Sequence, residues 1–365
     1  MSDIYVVGAG IHPFGRFEGV SGADMAVAAT RFALADAGIA WDKIDVAVGG
    51  SNTGKPDSLV ARLGLTGVAF TAVRNGCATG GIALATAANA LRAGEGEVAA
   101  VVGFDKHERG AFASDPASYG LDPWYGTTGL MVTTQYFAMR TRRYLHESGL
   151  SDRVLADVAV RASSYGAANP FAWRRRQLSA AEVLAAPMVA DPLTSLMFCQ
   201  PNEGAVALIL ARGARAFDLC ERPVRLASVA VRTRGPGSFE VYSPWLSPQR
   251  SGSPTVAAAA DALQSAGVTA ADLDVAQVQD TDSGSALIHL DETGVGELPV
   301  NTDGGCLANG EPIGASGLRQ VHEVVRQLQG RAPGIEVDSP RIGFTHVYGA
   351  PGVSACTVLM TGDRP

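Results

Sequence analysis

The sequence predicts an α/β protein built from two fused, repeated halves with an inserted cap, and three observations carry that expectation. Short apolar, β-branched runs bounded by glycine alternate with alanine-rich helical segments, the pattern of strands buried on both faces and covered by helices. The segments AGIAWDKIDVA at 37–47 and AGVTAADLDVA at 266–276 repeat at an offset of 229 residues, and the same offset carries Cys77 onto Cys306. The stretch from 108 to about 200 is too long for a plain connection in a compact protein and has helical character of its own.

In chain order, IYVVGAG, IDVAVGG, VAFTAV and VAAVVGF read as strands, with helices over 23–37 and 78–93 between them. The cap follows with WYGTTGLM, a helix around QYFAMRTRRYLHESG, another around DRVLADVAVRASSYGAANP, and the basic run WRRRQLS. The second half repeats the order with VRLASVAVRT, a helix over 254–266, LDVAQVQ, a helix over 314–329, and the pair IGFTHVYG and SACTVLMT. The halves are expected to span 1–217, cap included, and 218–365.

Composition sets the outer limits. A chain of 365 residues that is 47% hydrophobic buries a large core, and its net charge of -7 argues against nonspecific nucleic-acid binding while leaving room for a local basic patch. The start, MSDIYVVGAG, has no basic region ahead of an apolar stretch, and no segment approaches the roughly 18 apolar residues of a membrane span, so the expected location is the cytoplasm. The 5 cysteines are far apart and show no CxxC or Cys/His spacing, so neither a disulfide framework nor a metal site is expected. GAGIHPFGRF lacks the third glycine and the later acidic residue of a dinucleotide-binding turn.

Cys77 follows a strand and opens a helix, where unpaired N–H groups and the helix dipole favour a thiolate; as a small buried residue it could equally just pack. NGCATGGIAL at 75–84 resembles the nucleophile segment of the thiolase superfamily, in particular the sterol-carrier-protein thiolases, also called lipid-transfer proteins. The resemblance continues through RYLHESGLSDRVLADVAVRASSYGAANP, DPLTSLMFCQPNEGAVALIL and NTDGGCLANGEPIGASGLRQVHEVV to THVYGAPGVSACTVLM, in order and over nearly the whole chain. It implies the duplicated five-layer αβαβα thiolase fold, a homodimer, and acyl-CoA substrates, with coenzyme A present only as part of the substrate and no cofactor bound.

Within that resemblance Cys77 takes the nucleophile position, but other positions depart from the pattern. In NGEPIGASG, Glu311 replaces the histidine of a Gly-His-Pro loop, and an ionised carboxylate cannot act as an oxyanion donor. Asn309 and Gly310, placed with the substrate-binding residues, shape the turn that presents it. A His-Asp-Cys-Phe segment falls on Gln279, Asp280, Thr281 and Asp282; the two aspartates are either a carboxylate pair or helix caps. In HVYGAPG, His346 stands where the family has a basic cysteine or histidine, and Tyr348 replaces a glycine and could donate to an enolate or shuttle a proton. Arg174 and Arg175, with Arg176 beside Trp173, could meet CoA phosphates or form a solvated surface run, and Tyr242 in FEVYSPWLSP could line the cleft.

These departures resemble the steroid side-chain aldolases, thiolase-fold proteins that cleave a β-hydroxyacyl-CoA by retro-aldol chemistry in complex with a zinc-ribbon and OB-fold protein of the DUF35 type. Three readings remain open at this point. One is a C–C lyase using Tyr348, His346 and Glu311 or Asp280; another is a Cys77-dependent thiolase with His346 as its activating base; the last is a degenerate acyl-CoA-binding subunit of a DUF35 complex.

Overall fold

The computed structural model describes residues 3–113, 115–119, 122–129, 131–235, 253–349 and 352–362, so Tyr242 lies outside the described residues. The chain opens with β1 (Ile4–Gly15), α1 (Gly22–Asp36), β2 (Val46–Gly50), α2 (Val60–Leu63), β3 (Ala69–Val73), α3 (Thr79–Ala93) and β4 (Val98–Lys106). The cap holds α4 (Trp124–Thr127), α5 (Thr133–Ser148), α6 (Arg153–Ala168), α7 (Ala180–Ala185) and a short ladder of β5 (Met188–Ala190) with β6 (Leu193–Thr194). Next come β7 (Glu203–Arg212), α8 (Arg215–Leu219), β8 (Val224–Thr233), α9 (Pro254–Ala266) and β9 (Val275–Val278). The chain then runs through α10 (Ser283–Thr293), α11 (Gly305–Asn309), α12 (Ile313–Leu328), β10 (Ile342–Gly349) and β11 (Val353–Thr361).

The strands form one nine-stranded sheet of order β3-β2-β4-β7-β1-β8-β11-β10-β9. Its two groups meet only where β1 pairs with β8, at Tyr5 with Arg225 and Val6 with Val224. Each group repeats one pattern: β2 is parallel to β4, which is antiparallel to β7, as β9 is parallel to β10, which is antiparallel to β11. Even the edge recurs, because the parallel bridge of Ala276 with Val300 occupies the place that β3 takes beside β2. The strand not set out from sequence is β7, which inserts between β1 and β4.

The layers follow from which faces are apolar. α1 covers β1, β7 and β4 from outside and α9 covers β8 and β11, while α3 and α12 each touch strands of both groups and fill the middle, giving five layers. Glycines let the two central helices meet at backbone distance: a Cβ at Gly317 would lie 2.9 Å from the Gly81 nitrogen, and one at Gly80 would lie 2.9 Å from the Leu318 nitrogen. That is the physical use of the paired glycines in CATGGIAL. α12 is buried nearly all round although its sequence is amphipathic, so Arg319, Gln320, Glu323 and Gln327 are enclosed. There Arg319 pairs through Nη1 with Asp303 and donates to Gln277 at 3.2 Å.

This topology corrects one equivalence. α12 takes in the second group the place of α3 in the first, so the residue matching Cys77 just before its helix is Glu311. Cys306 sits in α11, a short helix inserted ahead of that turn.

Candidate active site

The turn that carries Cys77 is fixed by Thr79, whose hydroxyl accepts from the Asn75 N–H at 2.8 Å and donates to the Gly76 carbonyl at 2.6 Å. Gly76 adopts φ 55°, a conformation that favours glycine. From the other half, Gly349 at the end of β10 presses on the same turn; a Cβ there would lie 2.6 Å from the Asn75 oxygen and 2.7 Å from the Ala78 nitrogen. Cys77 is half-buried at the junction. The stabilised thiolate expected from its place ahead of a helix is not what the surroundings favour. Desolvation, followed by the charge of Glu311, pushes the thiol well above its ordinary value. A helix end offers only about half an elementary charge, and a full carboxylate charge beside the sulfur outweighs it.

Glu311 is fully buried and accepts from Gln279 Nε2 at 2.6 Å, Cys199 Sγ at 3.1 Å and Thr281 Oγ1 at 3.2 Å. All three partners donate, which is what an acceptor-only carboxylate requires. Its backbone N–H is tied to the Gln200 carbonyl at 2.9 Å. Asn309 and Gly310 build this turn, as expected, and do so from within it. The Asn309 amide spends its donors on the Asp303 and Gly305 carbonyls at 3.1 and 2.8 Å and accepts from Asn169 at 3.2 Å. Gly310 has φ 84°, and a Cβ there would meet the Asn202 side chain. These contacts assign both residues to shaping the loop, with no donor left over on Asn309.

The aspartates divide as caps, though not on one helix. Asp282 caps α10 by accepting from the Gly284 and Ser285 N–H groups, each at 2.9 Å. Asp280 instead accepts from Cys306 N at 2.6 Å and Leu307 N at 3.4 Å at the start of α11, and burial, opposed by Arg319, raises its carboxyl to about 7. Across the seam, Asp105 at the end of β4 holds the first turn of α12 through Gly314 N at 2.6 Å and the 51–53 turn through Ser51 Oγ at 2.7 Å and Thr53 N at 2.8 Å. Burial would raise Asp105, but His107 at 3.3 Å and these donors hold it at about 2.

His346 and Tyr348 alternate on β10 with Val347, which faces Gly81 and Gly317 of the central helices. Both therefore point to the outer side. His346 Nε2 lies 3.0 Å from the Thr255 hydroxyl of α9, and its ring meets that of His289 on α10 edge-on with centroids 4.6 Å apart. Burial, then His289 and Arg140, hold it well below its ordinary value. His346 thus lies on the face of β10 turned from α3, and its lowered basicity disfavours it as the activating base of Cys77. Tyr348 packs into the core of the cap with Tyr136, Phe137, Met197 and Phe198. Its hydroxyl lies 3.1 Å from that of Tyr136, and the Arg140 guanidinium stands 5.2 Å from its ring centre.

The arginine run resolves residue by residue. Arg174 donates to the Phe198 and Leu307 carbonyls at 3.0 and 3.4 Å and ties the cap to α11, Arg175 is exposed, and Arg176 pairs with Glu182 at 2.7 Å. Sequence reasoning missed Cys199, Tyr136, Arg140 and His289. Cys199 stood in a segment that carried the resemblance, whereas the other three lie on helices without any motif. Among the described residues there is no cluster fit to hold a metal ion, and no helix is long and apolar enough to cross a membrane.

Residues 4–212 match the family model described as "Thiolase, N-terminal domain", and residues 294–362 match "Thiolase C-terminal domain-like". The chain belongs to the thiolase family. It is 30% identical to the acetyl-CoA acetyltransferase of Methanothermobacter thermautotrophicus over 99% of this chain and 100% of that one. It is 29% identical to the 17-hydroxy-3-oxo-4-pregnene-20-carboxyl-CoA lyase of Mycobacterium tuberculosis, over 96% of this chain and 97% of the lyase. A solved structure described as an Ltp2-ChsH2(DUF35) aldolase superposes with a TM-score of 0.86 at 24% identity, covering 98% of each chain. The thiolase fold that the resemblance implied is thus the fold observed.

Proposed function

We propose that this thiolase-family enzyme of acyl-CoA thioesters cleaves the Cα–Cβ bond of a β-hydroxyacyl-CoA by retro-aldol chemistry. The observation that carries this reading is Glu311, a buried carboxylate where the resemblance places a histidine donor, which opposes ionisation of Cys77. An acyl-enzyme route needs a thiolate and a donor for the oxyanion; this site disfavours the first and supplies an acceptor in place of the second. Retro-aldol cleavage needs no acyl-enzyme. The β-hydroxyl proton passes to a base, the Cα–Cβ electron pair moves onto the thioester as an enolate, a carbonyl product leaves, and the enolate is protonated at Cα. Tyr348 is the proton-transfer residue in this reading, held by Tyr136 and Arg140, and Cys77 lines the site. The full-length likeness to a CoA lyase is in keeping with it. A homodimer in complex with a DUF35-type zinc-ribbon and OB-fold protein is the assembly we assign to it.

A Cys77-dependent thiolase is the second reading, favoured by the half-buried place of Cys77 ahead of α3 and by the acetyltransferase relative. The test is to purify the chain with its DUF35 partner and compare wild type, Cys77→Ala and Tyr348→Phe. Substrates are a β-hydroxyacyl-CoA, and a β-ketoacyl-CoA with free CoA. Cleavage of the β-hydroxy substrate should persist within about threefold in Cys77→Ala and fall by about 10²–10⁴ in Tyr348→Phe. An acyl adduct on Cys77, with thiolysis lost in Cys77→Ala, would overturn the proposal in favour of the second reading. No turnover of either substrate would leave a binding subunit.

A further inference from the structure

Arg140 belongs to no sequence motif, yet the fold buries its guanidinium over the rings of two tyrosines, 5.6 Å from the centre of Tyr136 and 5.2 Å from that of Tyr348. A buried guanidinium is costly unless negative charge answers it. The titratable groups whose charge it meets are Asp282 at the start of α10, His289 within that helix, His346 and Tyr348 on β10, and Tyr136 one turn earlier on α5. Asp282 is the carboxylate among them, and its Oδ1 is already bound to the Gly284 and Ser285 N–H groups, each at 2.9 Å. The two imidazoles add no competing positive charge, because burial first, and neighbouring charge after it, hold His289 at about 3 and His346 well below its ordinary value. Arg140 therefore sets a full positive charge against two phenol rings. A phenolate spreads its negative charge from the oxygen into the ring, so a cation over the ring face stabilises the phenolate and lowers its affinity for a proton. The hydroxyls of Tyr136 and Tyr348, 3.1 Å apart, fit a phenol donating to a phenolate.

We propose that Arg140 is the positioning residue that makes Tyr348 the base of the cleavage: its buried charge favours the phenolate of Tyr348, and that phenolate takes the β-hydroxyl proton. This role rests on the reading of Tyr348 as the proton-transfer residue of a retro-aldol reaction. In the step it serves, the β-hydroxyl O–H bond breaks and the proton passes to the Tyr348 oxygen, while the Cα–Cβ electron pair moves onto the thioester as an enolate. The proton then returns from the phenol to Cα, which restores the phenolate and leaves the enzyme as it began.

Three variants separate charge from packing. Arg140→Met removes the charge at similar length, Arg140→Lys keeps it, and Asp282→Asn removes the opposing charge while leaving a side chain that caps a helix. In the complex with its DUF35 partner, protein labelled with carbon-13 at the tyrosine ζ position, with Tyr348 assigned from Tyr348→Phe, reports the phenol titration. Its midpoint should rise by about one unit or more in Arg140→Met, stay within about half a unit in Arg140→Lys, and fall by about half a unit or more in Asp282→Asn. Opposite shifts from the two charge removals are not what lost packing produces. On a β-hydroxyacyl-CoA, Arg140→Met should lower kcat at pH 7 by about tenfold or more with KM within about twofold, and the loss should shrink as pH rises towards the displaced midpoint. Should Arg140→Met fail to fold, the double variant of Arg140→Met with Asp282→Asn carries neither charge, and its midpoint should lie about one unit or more above that of Asp282→Asn alone. An unmoved midpoint in Arg140→Met, or a double variant that titrates like Asp282→Asn, with Tyr348→Phe inactive, would overturn the role of Arg140 and spare that of Tyr348. Full activity in Tyr348→Phe would overturn both.

Discussion

Glu311→Gln preserves the shape of the central side chain and removes its charge, which isolates the effect assigned to it. In the wild type the carboxylate takes bonds from Gln279, Cys199 and Thr281 at 2.6, 3.1 and 3.2 Å. The amide can keep its oxygen on Gln279 and turn its NH₂ towards the Thr281 hydroxyl, which accepts as well as donates. What changes is the field at Cys77. Two unit charges about 4 Å apart in an effective dielectric of about 20 interact by about 4 kcal/mol, equivalent to about 3 pKa units as an upper figure. Desolvation, the larger cause of the raised thiol, is untouched. The Cys77 thiol should therefore fall towards its ordinary value, and its thiolate population near pH 8 should rise about tenfold or more. The assay is iodoacetamide alkylation followed at the Cys77 peptide by mass spectrometry across alkaline pH. An unchanged alkylation rate in a variant that melts like wild type would refute the assignment, because burial alone would then set the thiol.

Asp105 has a folded value of about 2 against an ordinary 3.8, so the stability it contributes is present above the unfolded value and lost as pH falls from 3.8 through about 2. That shift is worth about 2 kcal/mol at neutral pH. Asp105→Asn should lower the urea midpoint at pH 7, with the gap to wild type closing in acid; a gap independent of pH would show that the carboxylate charge is not involved. Gly349→Ala would set a methyl 2.6 Å from the Asn75 oxygen. It should cost about 1–3 kcal/mol and alter Cys77 alkylation as well, since the displaced turn carries that residue. A wild-type melt with wild-type alkylation would show the contact is loose.

Much of the scaffold was legible because it depends on local pattern. The glycine-bounded apolar runs are strands, although β3 lies exposed at the sheet edge where burial on both faces was expected, and the central helices begin and end within a residue of their sequence positions. The repeat at 37–47 and 266–276 marked the duplication that the paired half-sheets display. The departures at Glu311, Gln279 and Tyr348 were also visible, because each is a change of side-chain chemistry at one position of a resembling segment. Cys306 was misplaced because an offset in sequence cannot register α11, an insertion just before the equivalent helix.

By itself, then, the sequence determined the family, the strand and helix order, and the substitution of an acceptor for a donor at residue 311. The tertiary structure alone decided what surrounds those groups. Strand parity turned His346 away from α3, and the packing of α10 against α5 and β10 set His289 beside Tyr348. Enclosure made Glu311 a charge that the Cys77 thiol cannot ignore. The physical reason is that residue chemistry is local, whereas desolvation and electrostatic coupling depend on distances between residues far apart in the chain.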